Sequence, residues 1–231
     1  MTGLISKQAN RRTTIRGAGV GALALALPAC ASLPGFSMTD AVRRLLLLAS
    51  DNAFARLTAP DGYWDEQVGR LGLSNLIGAR GDILTRLLTS SLFKDRLEGA
   101  FADIAVEGAT RAAPIVTDAV RVIGLANAIE LVRGGPQAAT SALRGELGGR
   151  LVTQMVPELG DAIRIASDPL VAELVNSATG TDVGGIAQRL AGNIDDAIWQ
   201  EIGVEEAAIR ANPRSTNDPV LIGVFGAGSL L

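Results

Sequence analysis

Carboxylates are the remaining route to acid/base or metal chemistry in this chain, and they stand as three adjacent pairs, Asp65-Glu66, Asp195-Asp196 and Glu205-Glu206. Its 231 residues include no histidine and a single cysteine, Cys30. Those two counts exclude imidazole bases, Ser-His-Asp and Cys-His nucleophile pairs, His-bearing metal sites, Cys-cluster metal sites, CxxC redox pairs and intrachain disulfides. Neighbouring residues on a helix point about 100° apart, so one acidic pair cannot close around an ion without oxygens from elsewhere. Each pair is therefore expected on a solvated helix face. No metal, cofactor or catalytic constellation is expected, and the chain reads as a non-enzyme.

The glycine-bearing stretches have similarly plain readings. Thr179-Gly180-Thr181-Asp182-Val183-Gly184-Gly185 lacks the lysine and the preceding strand of a phosphate loop, and reads as a helix-capping loop with Thr181 or Asp182 as cap. Gly134-Gly135-Pro136 reads as the end of one helix and the start of the next. Arg80-Gly81-Asp82 is a chance tripeptide at a turn.

Near the C-terminus a polar turn around Arg210, Asn212, Pro213 and Thr216 precedes the apolar Val220, Leu221, Ile222, Val224 and Phe225. Two readings are open. The tail docks on its own bundle with Arg210 paired to Glu206 one turn before it, or the segment is a docking element for a protein partner.

The elements that must position these groups read as helices. Ser37 or Thr39 can cap a helix whose Val42, Leu45, Leu46, Ala49 and Ala53 share one face, and which should stop at Ala59-Pro60-Asp61-Gly62. Residues 63 to 81 are irregular, with short helices and loops. Helical spacing returns at Asp82 and runs through Leu97, Phe101, Ile104 and Ala105. Pro114 is expected to open a new helix reaching Arg133, with Ile115, Ala119, Val122, Ala126 and Ile129 as its buried stripe, widened by Val116, Val120 and Ile123. Pro136 should open the next, with Leu143, Leu147, Leu151 and Met155 inward before a stop at Pro157. Further helices are expected from Pro169 to Ser177, along Ile186, Leu190, Ile194, Ile198 and Ile202, and from Val204 to Ala211. Alternation of period two is scarce, so the expected fold class is all-α: a single-domain irregular helical bundle after an N-terminal signal segment.

That segment reads as an address. Lys7, Arg11, Arg12 and Arg16 precede an uncharged run from Gly17 to Ala29, too short to cross about 30 Å of hydrocarbon. Leu27-Pro28-Ala29-Cys30 resembles a bacterial lipobox, which implies a diacylglycerol thioether on Cys30 after cleavage, and so membrane anchoring by acyl chains. Ala29-Cys30-Ala31 also fits ordinary signal cleavage, releasing a soluble periplasmic or secreted chain. Ala31 after the cysteine, rather than Asp, suggests the outer membrane by resemblance to sorted lipoproteins. Arg11-Arg12 leaves twin-arginine export open beside the general route. Expected boundaries are residues 1–29 for a lipoprotein-type signal peptide, 30–37 for a tether and 38–231 for the helical domain. The first 29 residues carry +4, which leaves −7 for the remainder of a chain whose net charge is −3. An acidic domain argues against nucleic-acid partners.

Several stretches together are similar to the bacterial family called domain of unknown function 4197. They are Ala59-Pro60-Asp61-Gly62-Tyr63, Ala113 to Ala119, Gly134-Gly135-Pro136-Gln137-Ala138-Ala139-Thr140, Glu205 to Pro213, and Val224-Phe225-Gly226. The resemblance implies a helical, exported protein, often with a lipoprotein signal, and no assigned activity. Residues 65 to 80 depart from the family's pattern, where a Pro-rich segment usually follows the Pro-Asp-Gly turn. The expected function is a cell-envelope lipoprotein facing the periplasm, a structural or interaction domain with a possible protein partner. The alternative is a carrier holding a lipid or other apolar ligand between helices.

Overall fold

A computed structural model describes residues 37–60, 62–73, 91–124, 127–165 and 183–226. Among them are eight α-helices, one 3-10 turn and no strand. Cys30, Arg80-Gly81-Asp82, Thr179 to Asp182 and the expected helix from Pro169 to Ser177 lie outside the described residues.

Helix α1 spans Met38–Leu57. Ser37 is its cap: its Oγ accepts from the Asp40 N–H at 3.0 Å while the Asp40 carboxylate accepts from the Ser37 N–H at 3.3 Å. Two of the orphan donors of the first turn are thus satisfied reciprocally. The expected stripe Val42, Leu45, Leu46, Ala49 and Ala53 is fully buried, each leucine or valine contributing roughly 1.5–3 kcal/mol. Beyond α1, α2 (Tyr63–Leu71) is pinned by Trp64, whose indole N–H donates to the Leu57 carbonyl at 2.7 Å.

Helix α3 runs unbroken over Ser91–Val122, 32 residues with Pro114 inside. The expected new start at Pro114 is therefore wrong. Pro114 and Thr110, whose carbonyl loses its i+4 donor, are both exposed, so water can take that carbonyl. The expected stripe holds at Val116 and Val120 and is corrected elsewhere, while Ala126 lies outside the described residues. Ala105, Ala109, Ala112, Val116 and Val120 face the core, whereas Ile115 and Ala119 are half-buried, Val122 is 82% exposed and Ile129 56%. A run rich in Ala, Ile and Val offers two apolar stripes, and packing selects the one with alanines, which lets helix axes come close. Gly108 marks a close approach: a Cβ there would lie 2.8 Å from Ile194 Cδ1 and 3.2 Å from Leu159 Cδ2.

Short helix α4 (Ala128–Arg133) ends at Gly134, and α5 (Ala138–Leu147) follows two turn residues beyond Gly135. Gly148, at φ +53°, separates α5 from α6 (Arg150–Ile165). The expected single helix is thus two, though Leu143, Leu147, Leu151 and Met155 are all buried. Pro157 does not stop α6, because it too is on the exposed face, as is Thr153 one turn before.

Helix α7 (Val183–Ala211) passes straight through Gly203, joining the two helices expected there. It packs on α6, α1, α5 and α3 and is the centre of the bundle. The 3-10 turn Pro213–Thr216 and helix α8 (Pro219–Phe225) fold the tail back onto α1. Asp218 caps α8, accepting from the N–H groups of Val220 at 2.8 Å and Leu221 at 3.3 Å.

Candidate functional site

The stripe Ile186, Leu190, Ile194, Ile198, Ile202 advances by four, and the next step is Glu206. The same spacing that buries the isoleucines carries this carboxylate inside. Glu206 is fully buried, and its partners are backbone donors of another helix. Its Oε1 accepts from the Ala139 N–H at 3.0 Å and its Oε2 from the Thr140 N–H at 2.7 Å. These belong to the first turn of α5, whose N-cap Gln137 makes no side-chain cap. Glu206 thus caps α5 across the bundle, its negative charge at the positive helix end.

Arg210, one turn further along α7, completes the arrangement. Its Nε donates to Glu206 Oε1 at 2.7 Å, while Nη2 and Nη1 donate to the Leu131 and Val132 carbonyls at 2.8 and 3.0 Å. Those carbonyls are in the last turn of α4, so the cation lies at the negative end of that helix. The Phe225 ring of α8 lies 4.8 Å from the guanidinium carbon, a cation–π contact. One ion pair therefore ties together α4, α5, α7 and α8. Gly203 keeps room for Gln137: a Cβ there would be 2.9 Å from the Gln137 Cδ.

The reading of the acidic pairs as solvated faces is corrected for two members. Besides Glu206, Asp195 is 7% exposed. Burial raises its pKa against the Trp199 and Arg144 bonds that lower it. It accepts from Trp199 Nε1 at 2.9 Å and from Arg144 Nη2 at 3.0 Å, and the same Arg144 nitrogen reaches Asp196. Asp65, Glu66 and Asp196 are exposed, and Glu205 is half-buried. Nothing in the sequence announced Arg144 or Trp199, although Ala191, Asp195 and Trp199 form a row of their own beside the isoleucines.

A second polar group joins α1, α2 and α7. Arg56 pairs with Glu201 at 3.1 Å and Glu205 at 3.2 Å, and Asn52 donates to Glu205 at 3.2 Å. Tyr63 stands near enough to Glu201 that burial and that charge raise its phenol pKa. Among the described residues no three His, Cys, Asp or Glu gather closely enough to hold a metal ion.

The segment considered for docking is placed as follows. Arg210 is inside the tie just described. Asn212 is exposed, and its carbonyl accepts from the Ser215 N–H at 3.1 Å and Oγ at 2.7 Å. Pro213 is buried, and the half-buried Thr216 donates to the Pro213 carbonyl at 2.7 Å and accepts from the Asp218 N–H at 3.1 Å. Val220, Leu221 and Phe225 are buried on the bundle, and Arg44 of α1 meets Asp218 at 2.9 Å.

The rejected stripe of α3 lines a cleft. Ile115, Ala119, Val122 and Ile123 form one wall and Leu143 and Leu147 another, with Asp118, Glu146, Arg150 and Gln154 also lining a volume of about 410 Å³. Glu146 and Arg150 are exposed, so the cleft opens on water. No described helix is long and apolar enough to cross a membrane.

A family model described as a protein of unknown function (DUF4197) matches residues 32–226. No curated protein and no solved structure matches the chain.

Proposed function

Since the chain belongs to the DUF4197 family, which carries no indicated activity, we propose its function from its own residues: an interaction domain of the cell envelope, held on a membrane by acyl chains on Cys30. The observation that supports a scaffold over an enzyme is the convergence of motif residues on the Glu206–Arg210 pair. Ala139 and Thr140 come from one motif stretch, Glu206 and Arg210 from a second and Phe225 from a third, and they meet at one ion pair. Each Glu206 oxygen already accepts from protein donors, and Glu206 is fully buried with the Arg210 side chain only 10% exposed. Such groups hold helices together.

The anchor is supported by position. Cys30 is the sole cysteine, follows an uncharged apolar run, and precedes the capping box of α1 by seven residues. Acyl anchoring facing the periplasm, with the outer membrane as address, is the reading; release as a soluble periplasmic or secreted protein is its rival. Mass spectrometry of the N-terminal peptide from native membranes tests it. A triacylated or diacylated Cys30 is expected, with loss of membrane fractionation in Cys30→Ser. An unmodified peptide starting at Ser32 overturns it.

The cleft of about 410 Å³ favours one second reading, a carrier of an apolar ligand, since its size falls in the range of small-molecule pockets. Native mass spectrometry of the Cys30→Ser protein, purified without detergent, separates the two. A bare protein is expected for an interaction domain, whereas a reproducible extra mass of lipid size makes the carrier reading the better one.

A further inference from the structure

We infer that the end of the bundle where the last turn of α3 meets the second turn of α1 is the face this domain lays on the lipid surface that holds its anchor. The inference rests on the Cys30 anchoring proposed above and adds which residues touch the lipid.

The covalent chain sets the first limit. Ser37 follows Cys30 by seven residue steps, and seven steps reach at most about 25 Å when fully extended. Whatever path they take, the start of α1 stays within that distance of the acylated cysteine. The last turn of α3 is held there as well, because Arg43 Nε of α1 donates to the Val120 carbonyl at 3.4 Å.

This end carries apolar surface that the fold leaves bare. Val122, the last residue of α3, is 82% exposed, and Met38, the first residue of α1, is 40% exposed. Val122 also continues into the apolar wall of Ile115, Ala119 and Ile123. The remaining large exposed apolar residue of α3, Leu92 at 78%, is 30 residues from Val122, about 45 Å along the helix. It also points about 120° away from Val122 round the helix axis, so the two residues mark different faces.

Charge narrows the kind of contact. Three arginines of this end face acids: Arg43 pairs with Asp40 at 3.4 Å, Arg44 with Asp218 at 2.9 Å and Arg121 with Asp118 at 3.3 Å. The face is close to neutral, so long-range attraction to anionic lipid is weak. Val122 and Met38 entering the headgroup region make the contact, with the arginine stems lying along it. It should therefore be insensitive to salt, unlike a polybasic patch.

The experiment places a reporter at each end of α3 in the full, acylated chain. Val122→Cys and Leu92→Cys are labelled with an environment-sensitive fluorophore, the acylated Cys30 being unreactive, and reconstituted into phosphatidylethanolamine/phosphatidylglycerol vesicles containing doxyl-labelled lipid. Flotation reports the anchor and quenching reports the face. The expected result is that both variants float, the label at 122 is quenched about twofold or more by the shallow doxyl group, the label at 92 is not, and high salt changes neither. Flotation with no more quenching at 122 than at 92 overturns this face and leaves the anchor standing. Failure to float overturns the anchor, and the lipid face falls with it.

Discussion

The Glu206 carboxylate and the Arg210 guanidinium meet at 2.7 Å on successive turns of α7, with side chains 0% and 10% exposed. The pair satisfies two backbone donors of α5 and two backbone acceptors of α4, so each partner has a task besides neutralising the other. Breaking a buried pair from one side strands the remaining charge.

Glu206→Gln is accordingly expected to cost about 3–5 kcal/mol, because Arg210 is left buried without its counter-charge. Glu205→Gln, next to it on a half-buried face, is expected to cost no more than about 1 kcal/mol. Urea denaturation followed by circular dichroism compares them. Equal losses would contradict the assignment of the tie to Glu206.

Two glycines beside this pair should differ. A Cβ at Gly134 would sit 2.5 Å from Ala138 Cβ and 3.1 Å from the Glu130 carbonyl, neither of which can swing aside. Gly134→Ala is expected to destabilise by about 1–3 kcal/mol. At Gly203 the obstacle is the flexible end of Gln137, and alanine adds up to about 1 kcal/mol of helix propensity. Gly203→Ala is expected to be near neutral in the same melts.

Ser50 and Thr140 are buried with hydroxyls that make no hydrogen bond. Ser50→Ala and Thr140→Val remove an unpartnered polar atom and keep the backbone N–H of Thr140 on Glu206. Each is expected to raise stability by about 1 kcal/mol. A loss from either would show that its hydroxyl has a partner in solution.

Asp195 gives a pH signature. Burial raises its pKa in the folded chain, against lowering by the Trp199 and Arg144 bonds and a small rise from Asp196. Folded protein then holds a proton that the unfolded chain has already released. The stability this contributes is complete below the ordinary aspartate value, near 4, and is lost as pH rises through the raised value. Asp195→Asn lacks the titration and can still accept from Trp199. Relative to this variant, wild type should lose ground as pH rises across that window and then hold a constant difference. Urea midpoints from acidic to neutral pH test it; a difference independent of pH rules it out.

Much of this was legible in the residues. A cap at Ser37 or Thr39, the buried face of α1, the isoleucine row of α7 and the Arg210–Glu206 spacing all follow from local chemistry. What sequence reasoning lost was tertiary. It cannot tell which of two apolar stripes on α3 is covered, because Ala and Ile/Val faces compete and only the neighbours' shapes decide. It stopped helices at Pro114 and Pro157, though an exposed proline leaves its stranded carbonyl to water. It placed Glu206 in solvent, yet the four-residue step from Ile202 already pointed inward. The donors on α5 that make its burial tolerable lie 66 and 67 residues away.

The packing of α1 also bears on the order of events when the chain is made. Its apolar face is shared between α3 and α7, and its polar ties go to Glu205, 153 residues beyond Asn52, and to Asp218, 174 beyond Arg44. At a synthesis rate of about 5–20 residues per second, partners that distant emerge on the order of 10 s or more after α1. Until then the first helix can close only against α2, α3, α4 and α5, with the α7 side of its apolar face still bare. The domain cannot be assembled from its leading end as it emerges, and a chain threaded through a translocon would stay open until its last third had passed.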